Sequence, residues 1–361
     1  MFSKEKLALA RRRKGFTKKY LADKAGVTNR ALTAFENGEY APSDDTLAAL
    51  ARALAFPVKF FEGDPFEELD EDGVSFRSMK RMTAGQKHSA LAAGAFAMEI
   101  DRWLSARFKL PEPDVPDLRG QTPETAAAIL RREWGLGSYS IKNMVHLAEA
   151  KGIRVFSLRE NAQEVDAFSL WRGGRPFIFT NQEKSNARRR FDMAHEIAHL
   201  CLHKHGAPNG IIAEKEADVF ASALLMPADT VIAVAKSALT VDDLIRLKPR
   251  WLVSVAALNR RLFDLKLTSE WTYRGLSIEI SQRGYRTSEP HDYPAETSRV
   301  WEKVLGSLRM SGEGPATISS ALCIPQEEVE KLVWGLATIG ITTSATPFSS
   351  SARRAELRLV K

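Results

Sequence analysis

Apolar residues recur with a helical period along most of this chain, and with a strand period in one short stretch. In the first sixty residues Leu7, Leu21, Ala22, Val27, Leu32, Phe35, Leu47 and Leu50 fall at core spacing inside short runs. The runs are punctuated. Ser3, Thr17, Thr28 and Ser43 stand at cap positions, Gly26 and Gly38 close the second and third runs, and Pro57 opens a fifth turn. A long helix is expected from Thr83 to about Leu110, where the prolines of 111–123 break it. Helices are expected at 124–134 and 140–151, then short strands at 153–158, 165–171 and 175–181, the last two joined by a hairpin-like turn at Arg172–Gly174. Two more helices follow at 185–204 and 212–226. The first has Phe191, Ala194, Ala198 and Leu202 as its apolar stripe; the second has Ala217, Phe220, Ala221, Leu224 and Leu225. Residues 228–361 read as mainly helical, with starts capped at Ser254, Thr268 and Thr297. The pattern predicts a mainly α protein with a small β-sheet, of the α+β class.

Charge divides this pattern. The 361 residues carry 52 Lys and Arg against 45 Asp and Glu, a net +7. Residues 1–62 hold twelve basic and seven acidic residues, so most of the excess lies in one sixth of the chain. That points to a polyanionic partner for the first segment. Glu62–Asp72 then reverses sign, with seven acidic residues in eleven, and reads as a solvated linker. The expected division is a helical bundle at 1–62, an acidic linker at 63–82, a mixed domain at 83–235 and a helical region at 236–361. Two cysteines, Cys201 and Cys323, without a CxxC spacing argue against a disulfide scaffold and fit a reducing cytoplasm. The charged N-terminus lacks the apolar stretch of a signal peptide, and no run is apolar enough to span a membrane.

Helix, tight Gly turn, helix is the geometry that lays a second helix in the major groove of DNA. The third run presents Asn29, Arg30 and Thr33 outward, beside Thr28, and these are side chains of the kind that read base edges. Thr17, Lys18, Lys19 and Asn37 stand where backbone phosphates would pass. The stretch RRRKGFTKKYLADKAGVTNRALTAFENGEYAPSDDTLAALARAL resembles the helix-turn-helix of XRE/Cro regulators, with Lys18 where that family usually has Gln. The resemblance implies a double-stranded DNA operator, and paired half-sites would suit a homodimer.

The strongest chemical signal is HEIAH at 195–199. His195 and His199, four apart, project from one helix face as a tetrahedral zinc site needs. Glu196 beside them is placed to take a proton from a metal-bound water. A third ligand must come from elsewhere. His203 lies about 12 Å along the axis from His195 at 1.5 Å per residue, too far to share one ion. His205 would need a chain-reversing Gly at the position where Leu202 stands. In the next helix Glu214 extends the core-facing stripe toward the N-terminus, and Glu216 points sideways. Glu214 is the expected ligand, with Glu216 and His205 as alternatives. Asp218 is the expected partner for the free N–H of a ligand histidine.

Together RFDMAHEIAHLCLH and EKEADVFASALLMP resemble the ImmA/IrrE family of zinc metallopeptidases. The resemblance implies one Zn2+ per chain held by His195, His199 and Glu214, with Glu196 as general base, and a zincin-like central domain. It also implies a protein substrate, an XRE-type repressor in relatives. With both parts in one chain, self-cleavage in the acidic linker near Phe66–Asp72 is a further expectation. His203, His205 and Tyr139 are candidates for stabilising the oxyanion. The rival reading is a non-catalytic regulator or antitoxin whose zinc fold senses a ligand or partner. The presence of Glu196 speaks against it, because holding zinc does not require that residue. Arg188–Arg190 read as a solvated helix face and Cys201 as a core thiol. In the last third, 251–290 suggests a winged-helix-like or dimerisation element. ISSALCIPQEEVEKLVWGL has helix-turn-helix-like spacing without a readable function.

Overall fold

The computed structural model describes residues 1–69, 83–158, 167–203, 210–234 and 239–337, and the backbone of 74–75. The N-terminal bundle is built from α1 (Lys4–Arg13), α2 (Lys18–Ala25), α3 (Asn29–Asn37), α4 (Asp44–Leu54) and a 3-10 turn at Val58–Phe61. Each helix starts where a hydroxyl meets its orphan donors: Ser3, Thr17, Thr28 and Ser43 accept from the backbone N–H of Lys6, Tyr20, Ala31 and Thr46. Gly26 and Gly38 end α2 and α3 in the left-handed conformation, which costs glycine nothing.

The bundle is docked on the rest of the chain. Helix α5 (Ala84–Arg107) begins with a Thr83–Gln86 capping box, and its residues from Ser89 to Met98 are all buried. A helix apolar all round belongs in an interior. Helix α1 packs along it. The expected solvated linker differs in its described part. Phe66 packs edge-on against Phe60 and Phe96, Glu67 pairs with Arg102 and Arg172, Glu68 pairs with Arg12, and Leu69 is buried. The acids there neutralise specific arginines on neighbouring elements. Residues 70–72 of the expected cleavage region lie outside the described residues.

After α5 come α6 (Pro123–Glu133) and α7 (Met144–Ala150). The sheet has the order β1-β3-β4-β2, where β1 is Val74–Ser75, β2 Arg154–Leu158, β3 Phe168–Arg172 and β4 Arg175–Asn181. Strands β3 and β4 form the expected hairpin, and β2 lies parallel to β4, Arg154 beside Phe177 and Leu158 beside Asn181. Phe168 stacks on Phe179 at 4.3 Å between ring centres. Helix α8 (Asn186–Leu202) lies on β3 and β4, and α9 (Ile211–Leu225) packs against α8 and α6.

The remaining helices are α10 (Ala228–Ile232), α11 (Val241–Leu247), α12 (Val255–Asp264), α13 (Glu270–Gln282), α14 (Arg299–Met310), α15 (Pro315–Leu322) and α16 (Gln326–Val333). Ser254 caps α12 as expected, but Ser269 and Ser298, not Thr268 and Thr297, cap α13 and α14. The second helix of the helix-turn-helix-like pair, α16, packs on β2 and α5 and is not presented to solvent as a reading helix. In the winged-helix-like stretch the arginines are engaged within the protein. Arg260 pairs with Asp264, Arg274 with Glu270, Arg283 with Asp242 and Glu279, and buried Arg261 with Glu124. Arg188 faces solvent and pairs with Asp192, but Arg189 and Arg190 do not form the expected solvated face. Arg190 is 2% exposed, donating to Leu252 O and Ile141 O and pairing with Glu296. It ties α8 to the C-terminal helices, a role no helical period reveals. Among the described residues no helix is long and apolar enough to cross a membrane.

Candidate metal centre and nucleic-acid interface

Helix α8 carries HEIAH in its last two turns, and α9 runs against it so that their side chains meet. His195 and His199 are buried and Glu214 lies in the first turn of α9. His195 Nε2 is 3.1 Å from His199 Nε2 and 3.2 Å from Glu214 Oε2, and His199 Nε2 is 3.5 Å from Glu214 Oε1. Metal–ligand bonds of 2.0–2.1 Å in a tetrahedron put ligand atoms about 3.3 Å apart. The two ring nitrogens are at about that spacing, and each has one oxygen of the Glu214 carboxylate at a similar distance. His195, His199 and Glu214 form the group among the described residues whose donor atoms converge closely enough to hold a metal ion.

The hydrogen bonds behind the rings fix which nitrogens face the centre. His195 Nδ1 donates to Asp218 Oδ1 at 3.0 Å, so in the neutral ring, the form that binds a metal, Nε2 carries the lone pair. His203 Nε2 donates to Glu216 Oε2 at 2.9 Å, so its Nδ1 accepts from His199 Nδ1 at 2.9 Å. His199 Nε2 is left as a lone pair as well. Two ring lone pairs 3.1 Å apart repel unless a proton or a cation lies between them, and with the carboxylate they make the donor set of a zinc site. The residues present fit the ion.

Electrostatics follow from burial and these bonds. Burial opposes charge on His195, yet the bonds to Asp218 and Glu214 outweigh it and hold its pKa up at about 9. At His199 burial prevails, at about 4. Burial would raise Glu214, but its bonds to both histidines take it well below the usual carboxylate range. Glu196 is 2% exposed, and burial pushes its carboxyl up to about 7 against the pull of His195 and of a hydrogen bond from Ser169. A carboxyl poised near neutrality is suited to taking and returning a proton.

The other expected residues separate clearly. Glu214 reaches the centre, and Glu216 reaches His203 instead. His203 stands behind His199, with one ring nitrogen on His199 Nδ1 and the other on Glu216. Tyr139 is 83% exposed; its carbonyl shares Arg131 with that of Leu224, ten residues and about 15 Å along α9 from Glu214. It is not part of this site. His205 lies outside the described residues. Cys201 is fully buried in the core. Sequence reasoning missed Ser169, on β3, whose hydroxyl donates to Glu196 Oε2 at 2.6 Å. A serine in a strand carries no sequence signal for that contact.

In the N-terminal bundle Asn29 and Arg30 are exposed at the start of α3, with Thr33 half-buried one turn on. Thr17 and Thr28 spend their acceptor capacity as helix caps and keep a hydroxyl hydrogen to donate. Lys19 is exposed, whereas Lys18 is half-buried with Nζ 3.4 Å from Glu36, which also binds Arg11. Asn37 donates to Glu39 at 3.1 Å, and its carbonyl accepts from Lys4.

Two family models match the chain. One describes a helix-turn-helix and covers residues 7–61; the other describes an IrrE N-terminal-like domain and covers 148–263, the stretch from α7 to α12 that contains the histidine pair and Glu214. No curated protein matches the chain. Residues 7–61 thus match a helix-turn-helix and residues 148–263 an IrrE-like Peptidase_M78 domain, the two parts of the fusion expected from the sequence.

Proposed function

We propose that this protein is a DNA-binding transcriptional regulator whose IrrE-like domain is a zinc-dependent endopeptidase. The observation that carries the enzymatic half is the convergence of His195 Nε2, His199 Nε2 and Glu214 on one point, with Glu196 buried beside it. In this reading those three residues hold one zinc per chain, and Asp218 and the His203–Glu216 pair orient the two rings. A zinc ion held there would supply Lewis-acid chemistry, polarising a scissile carbonyl and acidifying water. Glu196 takes the water's proton and returns it to the leaving amine, a double duty that its near-neutral carboxyl suits. The site lies in a chain that localises itself on DNA, which favours a repressor-type protein as substrate. Homodimerisation would let two helix-turn-helix units read paired half-sites.

In the DNA-binding half, Asn29, Arg30 and Thr33 read base edges from α3. Thr17, Thr28, Lys18, Lys19 and Asn37 contact backbone phosphates, Lys18 by exchanging its pairing with Glu36 for a phosphate.

Metal content by mass spectrometry on wild type, His195→Ala, Glu214→Ala and Glu196→Gln tests the site. About one zinc per chain in wild type and Glu196→Gln, lost in the other two, is expected of a three-ligand centre. Retention in Glu214→Ala would reject Glu214 as a ligand. Operator-regulated transcription that survives Glu196→Gln unchanged would favour the sensing reading over the hydrolytic one.

A further inference from the structure

Strand β3 and helix α8 are pinned together at two points. Ser169 Oγ donates to Glu196 Oε2 at 2.6 Å, and Trp171 Nε1 donates to Leu200 O at 3.1 Å. Ser169 and Trp171 are two apart on one face of a strand, about 6.6 Å of rise, while Glu196 and Leu200 are four apart on a helix, about 6 Å. The two spacings match, so strand and helix run side by side in one register. That register brings the Ser169 hydroxyl level with the Glu196 carboxylate. Ser169 is itself 2% exposed, and Phe168 and Leu170 on either side are buried, so the strand has little freedom to slide.

The hydroxyl gives Glu196 one short, directed hydrogen bond, and the second pin at Trp171 keeps its donor from moving away along the helix. With Oε2 held by Ser169, Oε1 is the oxygen not engaged by that contact. We propose that Ser169 is a positioning residue that fixes the rotamer of the Glu196 carboxylate. The role rests on the peptidase reading of Glu196; the contact does not.

Two measurements on the full chain test it. The first is a double-mutant cycle of urea unfolding with Ser169→Ala and Glu196→Ala in metal-free protein, which asks about the contact alone. The single substitutions are expected to be coupled, with the double variant falling no further than Glu196→Ala; additive midpoints would overturn the proposal. The second uses zinc-loaded protein with casein as an unstructured probe. Ser169→Ala is expected to lower kcat roughly a hundredfold with KM and zinc content unchanged. Ser169→Thr, which keeps the hydroxyl on a residue suited to a strand, should restore most of the loss. Equal loss in Ser169→Ala and Ser169→Thr, with both folded, would overturn the positioning role. If the unfolding cycle shows coupling while zinc-loaded wild type is as inert on casein as Glu196→Gln, the peptidase reading fails, and Ser169 is then a structural partner of Glu196.

Discussion

Arg13, at the end of the first helix, and Glu328, in the last, form an ion pair of 2.6 Å with both side chains almost completely buried. Lys14 reaches the other carboxylate oxygen at 3.1 Å, Lys331 approaches at 3.7 Å, and Arg13 also donates to Ser89 of α5. One carboxylate thus joins the DNA-reading bundle, the central helix and the C-terminal bundle. The N-terminal domain is not held by its linker alone. Breaking a buried pair from one side leaves an uncompensated charge at a cost of about 3–5 kcal/mol. Glu328→Ala should lose stability of that order in urea unfolding, and more than Glu328→Gln, which keeps hydrogen-bond acceptance.

The same carboxylate predicts a pH dependence. Burial works to raise its pKa from 4.5, but Arg13, Lys14 and Lys331 outweigh burial and lower it. A lowered folded-state pKa gives stability that is complete above the unfolded value and is lost as pH falls through the folded one. The stability difference between wild type and Glu328→Gln should therefore be level above about pH 5 and shrink as pH falls below the ordinary carboxylate range. A difference that grows on acidification would contradict this account of the pair.

Asp218 holds the Nδ1 hydrogen of His195 and does not face the centre. Removing such a partner typically costs 10–100-fold in metal affinity. Asp218→Asn and His203→Ala should each weaken zinc binding by about that factor in a chelator competition, with secondary structure intact. Undiminished affinity in both would mean that the rings are oriented by packing alone.

For DNA, Arg30→Ala should cost about 1–3 kcal/mol of operator binding and relax preference at one base pair. Lys19→Ala should weaken binding similarly on all sequences and reduce the salt slope by about 1. Titrations at several salt concentrations separate the two outcomes.

Gly152 lies between α7 and β2 with φ +73°, and a Cβ there would stand 2.2 Å from Glu112 O and 2.5 Å from Pro113 N. The obstacle is backbone, so no side chain can swing aside. Gly152→Ala should destabilise by at least about 2 kcal/mol, read from the thermal midpoint, with the loop 111–118 displaced from α7.

Local signals determined much of this protein. Ser3, Thr17, Thr28 and Ser43 cap helices through contacts only three residues long, so the four N-terminal helices are legible from the chain. The four-residue spacing of His195 and His199 puts both rings on one face by helical geometry alone, and the apolar stripe of α9 aims Glu214 the same way. Contacts between elements distant in sequence have no such period. Ser169 finds Glu196 only because β3 lies on α8, and Arg190 is buried only because α8 meets the C-terminal helices. The acids of 66–69 look like a solvated linker until Arg12, Arg102 and Arg172 arrive from three other elements. Helix α16 has the spacing of a DNA reader, yet Val329, Leu332 and Val333 are buried where it packs on β2 and α5, and Glu328 meets Arg13 there. Periodicity fixes which face of an element is apolar or charged; which element comes to meet that face is decided by packing across the whole chain.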